Sequence, residues 1–296
     1  MEIYRFGFDA MGGSGETVLV SKSKEEAHSI ANLVLEEVGR IEYKYSRYRP
    51  ESIVSRINAA AGNDSVAYDD ETASLFGYAD RLYEISDGLF DMTSGVLRHA
   101  WDFSKAILPE PARLSELLSL VGWNRVERQV NTIRLPEAGM EIDFGGVGKE
   151  YAADRAAAIV AAKGVKHGYV NLAGDIRLVG PKPDGTPWVI GIQDPRQKGC
   201  TIASIPLYTG ALATSGDYER FFEVEGNRYC HIIHPRTGYP VTYWRSVTVV
   251  APLAITAGSC TTIAMLKGED ALAFLEDSAM GYLAVDQSGK IYHKNT

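Results

Sequence analysis

Through the segment SKEEAHSIANLVLEEVGRIEYKYSRY, Ala27, Ile30, Leu33, Val34 and Val38 recur at helical spacing, which predicts a long amphipathic helix over residues 24–45. Ahead of it, residues 2–8 and 16–20 alternate or cluster apolar side chains around Gly12-Gly13-Ser14-Gly15, the pattern of two strands joined by a glycine turn. A second helix is expected near 51–60. ETASLFGYADRLYEISDG reads as a third, closed by Gly88, and LSELLSLVG as a fourth, closed by Gly122. The chain is thus expected to be mostly helical up to about residue 125.

Beyond that point the pattern changes to short apolar runs bounded by Gly, Pro, Asn and Asp: VNTIRLPEAGMEIDF, GYVNLAGDIRLVG, PWVIGIQDP and RSVTVVAP. These predict strands. Two helices interrupt them, one from the glycines before Lys149 to about Lys163 and one across Ala254–Leu266. No fixed-period repeat, low-complexity tract or Pro/Ser-rich linker divides the chain, so residues 1–296 read as one intertwined α+β domain, its helical N-terminal part packed on a mixed β-sheet.

With 45% hydrophobic and 23% charged residues, the chain has enough apolar surface for a sizeable core, which argues against intrinsic disorder. Thirty basic against 38 acidic side chains leave a net charge of −8, and Lys and Arg are scattered rather than striped, so nucleic acid is a poor partner. Cys200, Cys230 and Cys260 form no metal-ligand spacing and read as reduced thiols. The first residues lack a signal-peptide apolar core and a lipidated cysteine, and no later stretch approaches a membrane span. A cytoplasmic chain without a membrane anchor is therefore expected.

Several short segments carry candidate chemistry. Ile142-Asp143-Phe144-Gly145-Gly146-Val147-Gly148-Lys149-Glu150-Tyr151 reads as a strand end, a glycine turn and a helix start, which suits either an anion at a helix N-terminus or a plain tight turn. It is not a phosphate loop of the Walker type, because Glu150 stands where Ser or Thr would follow the Lys. Asn171-Leu172-Ala173-Gly174-Asp175 and Ala213-Thr214-Ser215-Gly216-Asp217-Tyr218 each read as turns holding a carboxylate. In Tyr229 to Pro240, His231 and His234 lie on opposite faces of an extended run and so do not chelate one metal together. Each histidine alone suits a structural role as well as a catalytic one. Tyr48, flanked by Arg47 and Arg49, suits stacking on a flat heteroaromatic ligand or burial in the core.

Taken in order, these segments resemble the ApbE family, the FAD:protein FMN transferases. The resemblance runs from Met11 to Gly268 through SRYRPESIVSRIN, DGLFDMTSGVL, IDFGGVGKEYAADRA, YVNLAGDIRLVG, WVIGIQDP, GALATSGDYERFF, YCHIIHPRTGYPV and SVTVVAPLAITAGSCTTIAMLKG. It implies a protein that binds FAD, splits its pyrophosphate with Mg²⁺ and transfers FMN to a Thr or Ser hydroxyl of an acceptor flavoprotein, releasing AMP. By the same resemblance Met11 belongs to the FAD site, and Tyr48 lies near the isoalloxazine. The loop holding Asp91, Thr93 and Gly95 and the stretch with Asp143, Gly145, Gly146 and Lys149 surround FAD. Asp175 lies near the nucleotide, and His231 and Thr237 near the phosphates. The metal is met by the backbone carbonyl of Gly148 and by Thr262, and His231 and Thr262 are the implied catalytic residues.

The chain departs from the family pattern at four places. Gly258 stands where an Asp four positions before Thr262 is expected to face the metal, and a glycine has no side-chain oxygen to offer Mg²⁺. His234 replaces the Asp of HIIDPRTG, Gly13 the Thr of MGT, and Gly148 an Ala. On this reading metal binding is weakened unless another group compensates, with a catalytically impaired FAD-binding relative, a carrier or scaffold, as the alternative function. A protonated His234 would then stand in for part of the metal's charge. Asp at 234 and 258 would restore Mg²⁺-dependent turnover.

Overall fold

The computed structural model describes residues 1–295. The chain opens with the expected hairpin, β1 (Glu2–Ala10) and β2 (Gly13–Ser21). Ala10 pairs with Gly13, so Met11 and Gly12 alone make the turn, and both take left-handed backbone, φ 53° and 77°. A two-residue turn of this hand matches the twist of the strands, and glycine enters it without strain.

Helices α1 (Lys24–Tyr45), α2 (Ile53–Ala59) and α3 (Asp70–Ile85) follow. Each begins where a side-chain oxygen accepts from a first-turn N–H: Ser23 from Glu26 at 3.2 Å, Ser52 from Ser55 at 2.9 Å, Asp69 from Thr72 at 3.0 Å. α4 (Pro111–Ser119) starts earlier than the apolar pattern suggests, because Pro111 suits a first helical turn. A 3₁₀ helix, Met92–Ala100, was not expected.

The apolar alternation ending in Ile142 and Phe144 does not make the predicted long strand. Only β5 (Thr132–Arg134) forms there, in a small sheet with β3 (Val66–Ala67) and β4 (Glu127–Gln129). Met140, Ile142 and Phe144 are buried at alternate positions all the same. Their backbone has another partner: the Asn58 amide donates to the Ile142 carbonyl at 3.0 Å and accepts from its N–H at 2.8 Å, while Asp143 N–H donates to the Met92 carbonyl at 3.0 Å. A side chain thus satisfies the groups that a neighbouring strand would otherwise take.

The rest of the chain is α5 (Gly148–Ala162), β6 (Gly168–Leu172), β7 (Asp175–Gly180), β8 (Trp188–Gln193), β9 (Thr201–Leu207), β10 (Ala211–Gly216), β11 (Phe221–Val224), β12 (Asn227–Cys230), β13 (Trp244–Ala251), α6 (Ala254–Lys267), α7 (Ala271–Asp277), β14 (Gly281–Asp286) and β15 (Ile291–Lys294). The main sheet has eight strands in the order β1-β2-β6-β7-β10-β13-β14-β15. The α+β class is as expected, but the sheet is antiparallel at every pairing rather than mixed. Strand alternation divides its side chains. Leu19, Val170 and Leu172 join α1, α2, α3 and α5 in one core, whereas Val18, Tyr169 and Ile176 pack with Trp188, Ile192 and Leu207 of the β8–β9 hairpin on the opposite face.

Ala213 to Gly216, expected as a turn, belongs to β10 up to its last residue, and the turn begins only at Asp217. Small side chains hid this strand from β-propensity and are there because α6 lies on it, with Ser215 Oγ 2.8 Å from Thr261 Oγ1. α6 itself is buried along nearly its whole length and has no cap of its own; Asp154 of α5 caps it instead, accepting from Ala254 and Ile255 N–H at 2.9 Å each. That bond pair fixes α6 beside α5. No helix among the described residues is long and apolar enough to cross a membrane.

Candidate functional site

The N-terminus of α5 is where the implied residues converge. Lys149 reaches across to the first residue of β7, and its Nζ lies 2.6 Å from Asp175 Oδ2. Burial alone would lower the ammonium's pKa, but the Asp175 and Glu150 carboxylates reverse this and hold it up to about 12. Asp175, 3% exposed, is raised by burial against the opposing pull of Lys149. His231 follows β12, with its backbone N–H donating to the Arg220 carbonyl at 2.9 Å. The residue is exposed overall, yet crowding by the surrounding protein together with the cations Arg220 and Lys149 lowers the imidazole's pKa below its usual 6.5 and favours the neutral form at pH 7. A fixed cation therefore lies within electrostatic reach of a neutral imidazole.

The β1–β2 turn borders the same place. A methyl group at Gly148 would meet the Met11 Cε at 3.8 Å, and one at Gly12 the Arg220 guanidinium at 3.6 Å. Both are ordinary contacts, so the family's Ala fits at 148 and its absence there changes little. Gly13 differs: a Cβ there would lie 2.7 Å from the Ala173 Cβ, and Ala173, in left-handed backbone at φ 52°, donates its N–H to the Ser14 carbonyl at 2.9 Å. In this chain Gly13 is therefore set by Ala173.

A second group lies around the glycine loop. Asp143 accepts from Gly145 N–H at 2.9 Å and pairs with Arg47. Arg47 also donates to the Tyr48 hydroxyl at 2.8 Å and stacks on the Tyr48 ring at 4.8 Å. Tyr48 is 76% exposed, so the reading of it as a core residue is corrected: the ring presents a free face. Gly95 is required by geometry, since a Cβ there would lie 2.6 Å from the Asp143 Cβ, while one at Gly146 would press on the Phe90 ring at 3.0 Å.

Asp91 and Thr93 are placed differently. Asp91 accepts from Thr93 N–H, Thr93 Oγ1 and Trp123 N–H at 2.7, 2.5 and 2.9 Å, and Thr93 Oγ1 in turn accepts from Gly122 N–H at 2.7 Å. Both side chains are buried in a knot that ties the 3₁₀ helix to the Gly122 turn. Thr237 is exposed, with its Oγ1 accepting from Tyr239 N–H at 3.2 Å, and Trp101 pins the same turn by donating to the Gly238 carbonyl at 2.8 Å.

His234 closes its own turn: its Nδ1 accepts from Arg236 N–H at 3.2 Å, and burial with the nearby Arg236 cation lowers its pKa. An accepting, neutral imidazole is not a substitute for a metal's charge, which overturns that expectation.

Gly258 and Thr262 lie one turn apart on α6 and share a face. Facing Gly258 is Glu150 of α5, 6% exposed. A Cβ at Gly258 would lie 2.5 Å from Glu150 Cγ and 2.7 Å from its Oε1, so an Asp at 258 would have to displace the Glu150 side chain. Burial, and then repulsion from Asp175, push the Glu150 carboxyl up to about 7, with Lys149 pulling the other way. Its Oε2 has no hydrogen-bond partner among the described residues. Asp217 and Ser259 are committed elsewhere: Asp217 is held by Arg196 through two bonds of 2.6 and 2.7 Å, and Ser259 donates to the Ile255 carbonyl at 2.7 Å.

Sequence reasoning noted Glu150 only as a mismatch to a phosphate loop and missed Arg220 and Asp154. The one available signal for Glu150 was a carboxylate beside Lys149 in a chain lacking one at 258; that α5 lies against α6 was not legible.

The fold and site define an α+β protein with a lysine–carboxylate pair, a neutral histidine and an orphaned buried carboxylate at one helix N-terminus. Residues 11–285 match the ApbE family, and the chain belongs to it. It is 32% identical to an FAD:protein FMN transferase of Vibrio cholerae over 80% of this chain and 72% of that protein. It is 29% identical to one of Haemophilus influenzae over 85% of this chain and 75% of that protein. Among solved structures, the ApbE protein of Thermotoga maritima superposes with a TM-score of 0.91 at 35% identity, covering 99% of this chain and 97% of that one. The flavin transferase ApbE of Vibrio cholerae superposes at 0.87 and 25% identity, covering 99% and 98%.

Proposed function

We propose that this protein is an FAD:protein FMN transferase acting as one domain. The observation that carries the reading is the Lys149–Asp175 pair at 2.6 Å on the α5 N-terminus, beside His231. FAD is the substrate. Its isoalloxazine stacks on the free face of Tyr48, and the Met11, Gly95, Asp143, Gly145 and Gly146 backbone lines its path. Its pyrophosphate meets the Lys149 ammonium and the free N–H groups of the α5 start. Asp175 holds Lys149 in place, Asp91 and Thr93 hold the loop that carries Gly95, and Thr237 reaches the phosphates from its turn.

In the transfer, a Ser or Thr hydroxyl oxygen of the acceptor flavoprotein attacks the flavin-side phosphorus. A new P–O ester bond forms, the anhydride P–O bond breaks, and AMP leaves with the bridging oxygen and its electron pair. His231, neutral at pH 7, takes the hydroxyl proton. Lys149 offsets the charge that develops on the phosphate oxygens. A bound Mg²⁺ supplies the remaining neutralisation of the pyrophosphate. The Gly148 carbonyl and the Thr262 hydroxyl are the groups that would hold it, and the unpartnered carboxylate oxygen beside α6 fits the demand of this cation for anionic oxygen. Among the described residues no three His, Cys, Asp or Glu side chains form a metal cluster, so the ion would rely on few protein oxygens and on substrate phosphates. The three free cysteines suit a cytoplasmic setting.

The test is to titrate the purified protein with FAD, following flavin fluorescence, and to assay AMP release with and without Mg²⁺. Saturable binding with Mg²⁺-dependent AMP supports the reading. Binding without AMP in the presence of an acceptor protein supports the carrier alternative.

A further inference from the structure

We propose that Glu150 supplies the magnesium-binding carboxylate that the family pattern places at position 258. The inference rests on the transferase reading for the identity of the metal but on this chain's own geometry for the ligand. Glu150 extends from the first turn of α5 into the space beside Gly258. Its Oε1 lies 2.7 Å from the position of a Cβ at 258, close to the separation between an aspartate's own Cβ and its carboxylate oxygens. The carboxylate is thus delivered to the same place from the facing helix rather than from α6 itself.

Four further observations agree. Glu150 is 6% exposed, and its Oε2 has no hydrogen-bond partner among the described residues, an arrangement costly for a carboxylate with no other ligand. Gly258 is the residue that makes the space: any side chain there would displace Glu150. Asp154, one helical turn beyond Glu150, bonds to Ala254 and Ile255 N–H and so holds α6 at the separation this exchange needs. Thr262 lies one turn from Gly258 on the same face of α6, and Gly148 is two residues before Glu150 at the start of α5.

The experiment titrates the whole protein, with FAD present, with Mn²⁺ as the paramagnetic probe, reading free ion by electron paramagnetic resonance. FAD affinity without metal is measured separately by fluorescence. Glu150→Gln keeps the shape and is expected to weaken Mn²⁺ binding about ten-fold or more, since even residues behind a metal's ligands cost that much, while metal-free FAD affinity is retained. The exchange Glu150→Gly with Gly258→Asp is expected to restore Mn²⁺ binding to within a few-fold of the starting protein. Unchanged Mn²⁺ affinity in Glu150→Gln overturns the proposal, as does failure of a folded exchange variant to recover it. If the unaltered protein does not bind FAD, the transferase reading fails instead.

Discussion

Replacing Gly258 by Ala tests the contact between α5 and α6 without involving any ligand. In an exposed helix interior this change is stabilising by roughly 0.5–1 kcal/mol, because alanine loses less backbone freedom on folding. Here the added methyl group would fall 2.5 Å from Glu150 Cγ and 2.9 Å from its Cδ, well inside contact distance. Glu150 is buried and cannot swing into solvent, so the change is an overpacking of about 1–3 kcal/mol. The sum is a net loss, roughly 0–2.5 kcal/mol, in the unaltered background. With Glu150→Ala already present the obstacle is gone, and Gly258→Ala should become stabilising by roughly 0.5–1 kcal/mol. The sign of the effect reverses, and the coupling energy is about 1–3 kcal/mol. Urea denaturation of the four proteins of this double-mutant cycle measures it. Additivity within about 0.5 kcal/mol would refute the close approach.

Other consequences are as direct. Because burial raises the Glu150 carboxyl from 4.5 to about 7, the folded protein keeps a proton that the unfolded chain has lost between these values. Metal-free stability should therefore fall as pH rises through that window, by up to about 1.4 kcal/mol per pH unit, and Glu150→Gln should flatten the slope in melts from pH 4.5 to 8. Lys149→Met strands the buried Asp175 carboxylate and should cost about 3–5 kcal/mol along with FAD affinity, most of the stability returning when Asp175→Asn is added; calorimetry and flavin fluorescence read the two effects. Gly13→Ala should cost about 1–3 kcal/mol against the Ala173 Cβ and recover with Ala173→Gly, which also relieves the left-handed backbone at 173; equal losses in both backgrounds contradict this.

The helices and the opening hairpin were legible because their signals are local. Ser23, Ser52 and Asp69 stand where caps belong, and Ala27, Ile30, Val34 and Val38 keep their spacing along one buried face. Where a distant side chain replaced the expected partner, local signals misled. Asn58 satisfies Ile142, so an alternating run became an irregular loop. β10 carries Ala213, Thr214, Ser215 and Gly216 because α6 presses on it, and small residues between polar ones read as a turn.

The site was legible as a set of segments but not as a constellation. Lys149 and Asp175 could each be singled out, yet their pairing depends on α5 and β7 meeting through the fold. Gly258 stood out as a loss. That Glu150 lies against Gly258, and that His234 accepts from Arg236 N–H, required coordinates.

The most direct test of the central claim is the intact mass of an acceptor flavoprotein domain after incubation with this protein, FAD and Mg²⁺, with AMP measured in the same sample. The account predicts an acceptor heavier by one FMN less water, AMP formed in equal amount, and loss of both with His231→Ala. AMP without modified acceptor, or an unmodified acceptor with intact FAD, would contradict it.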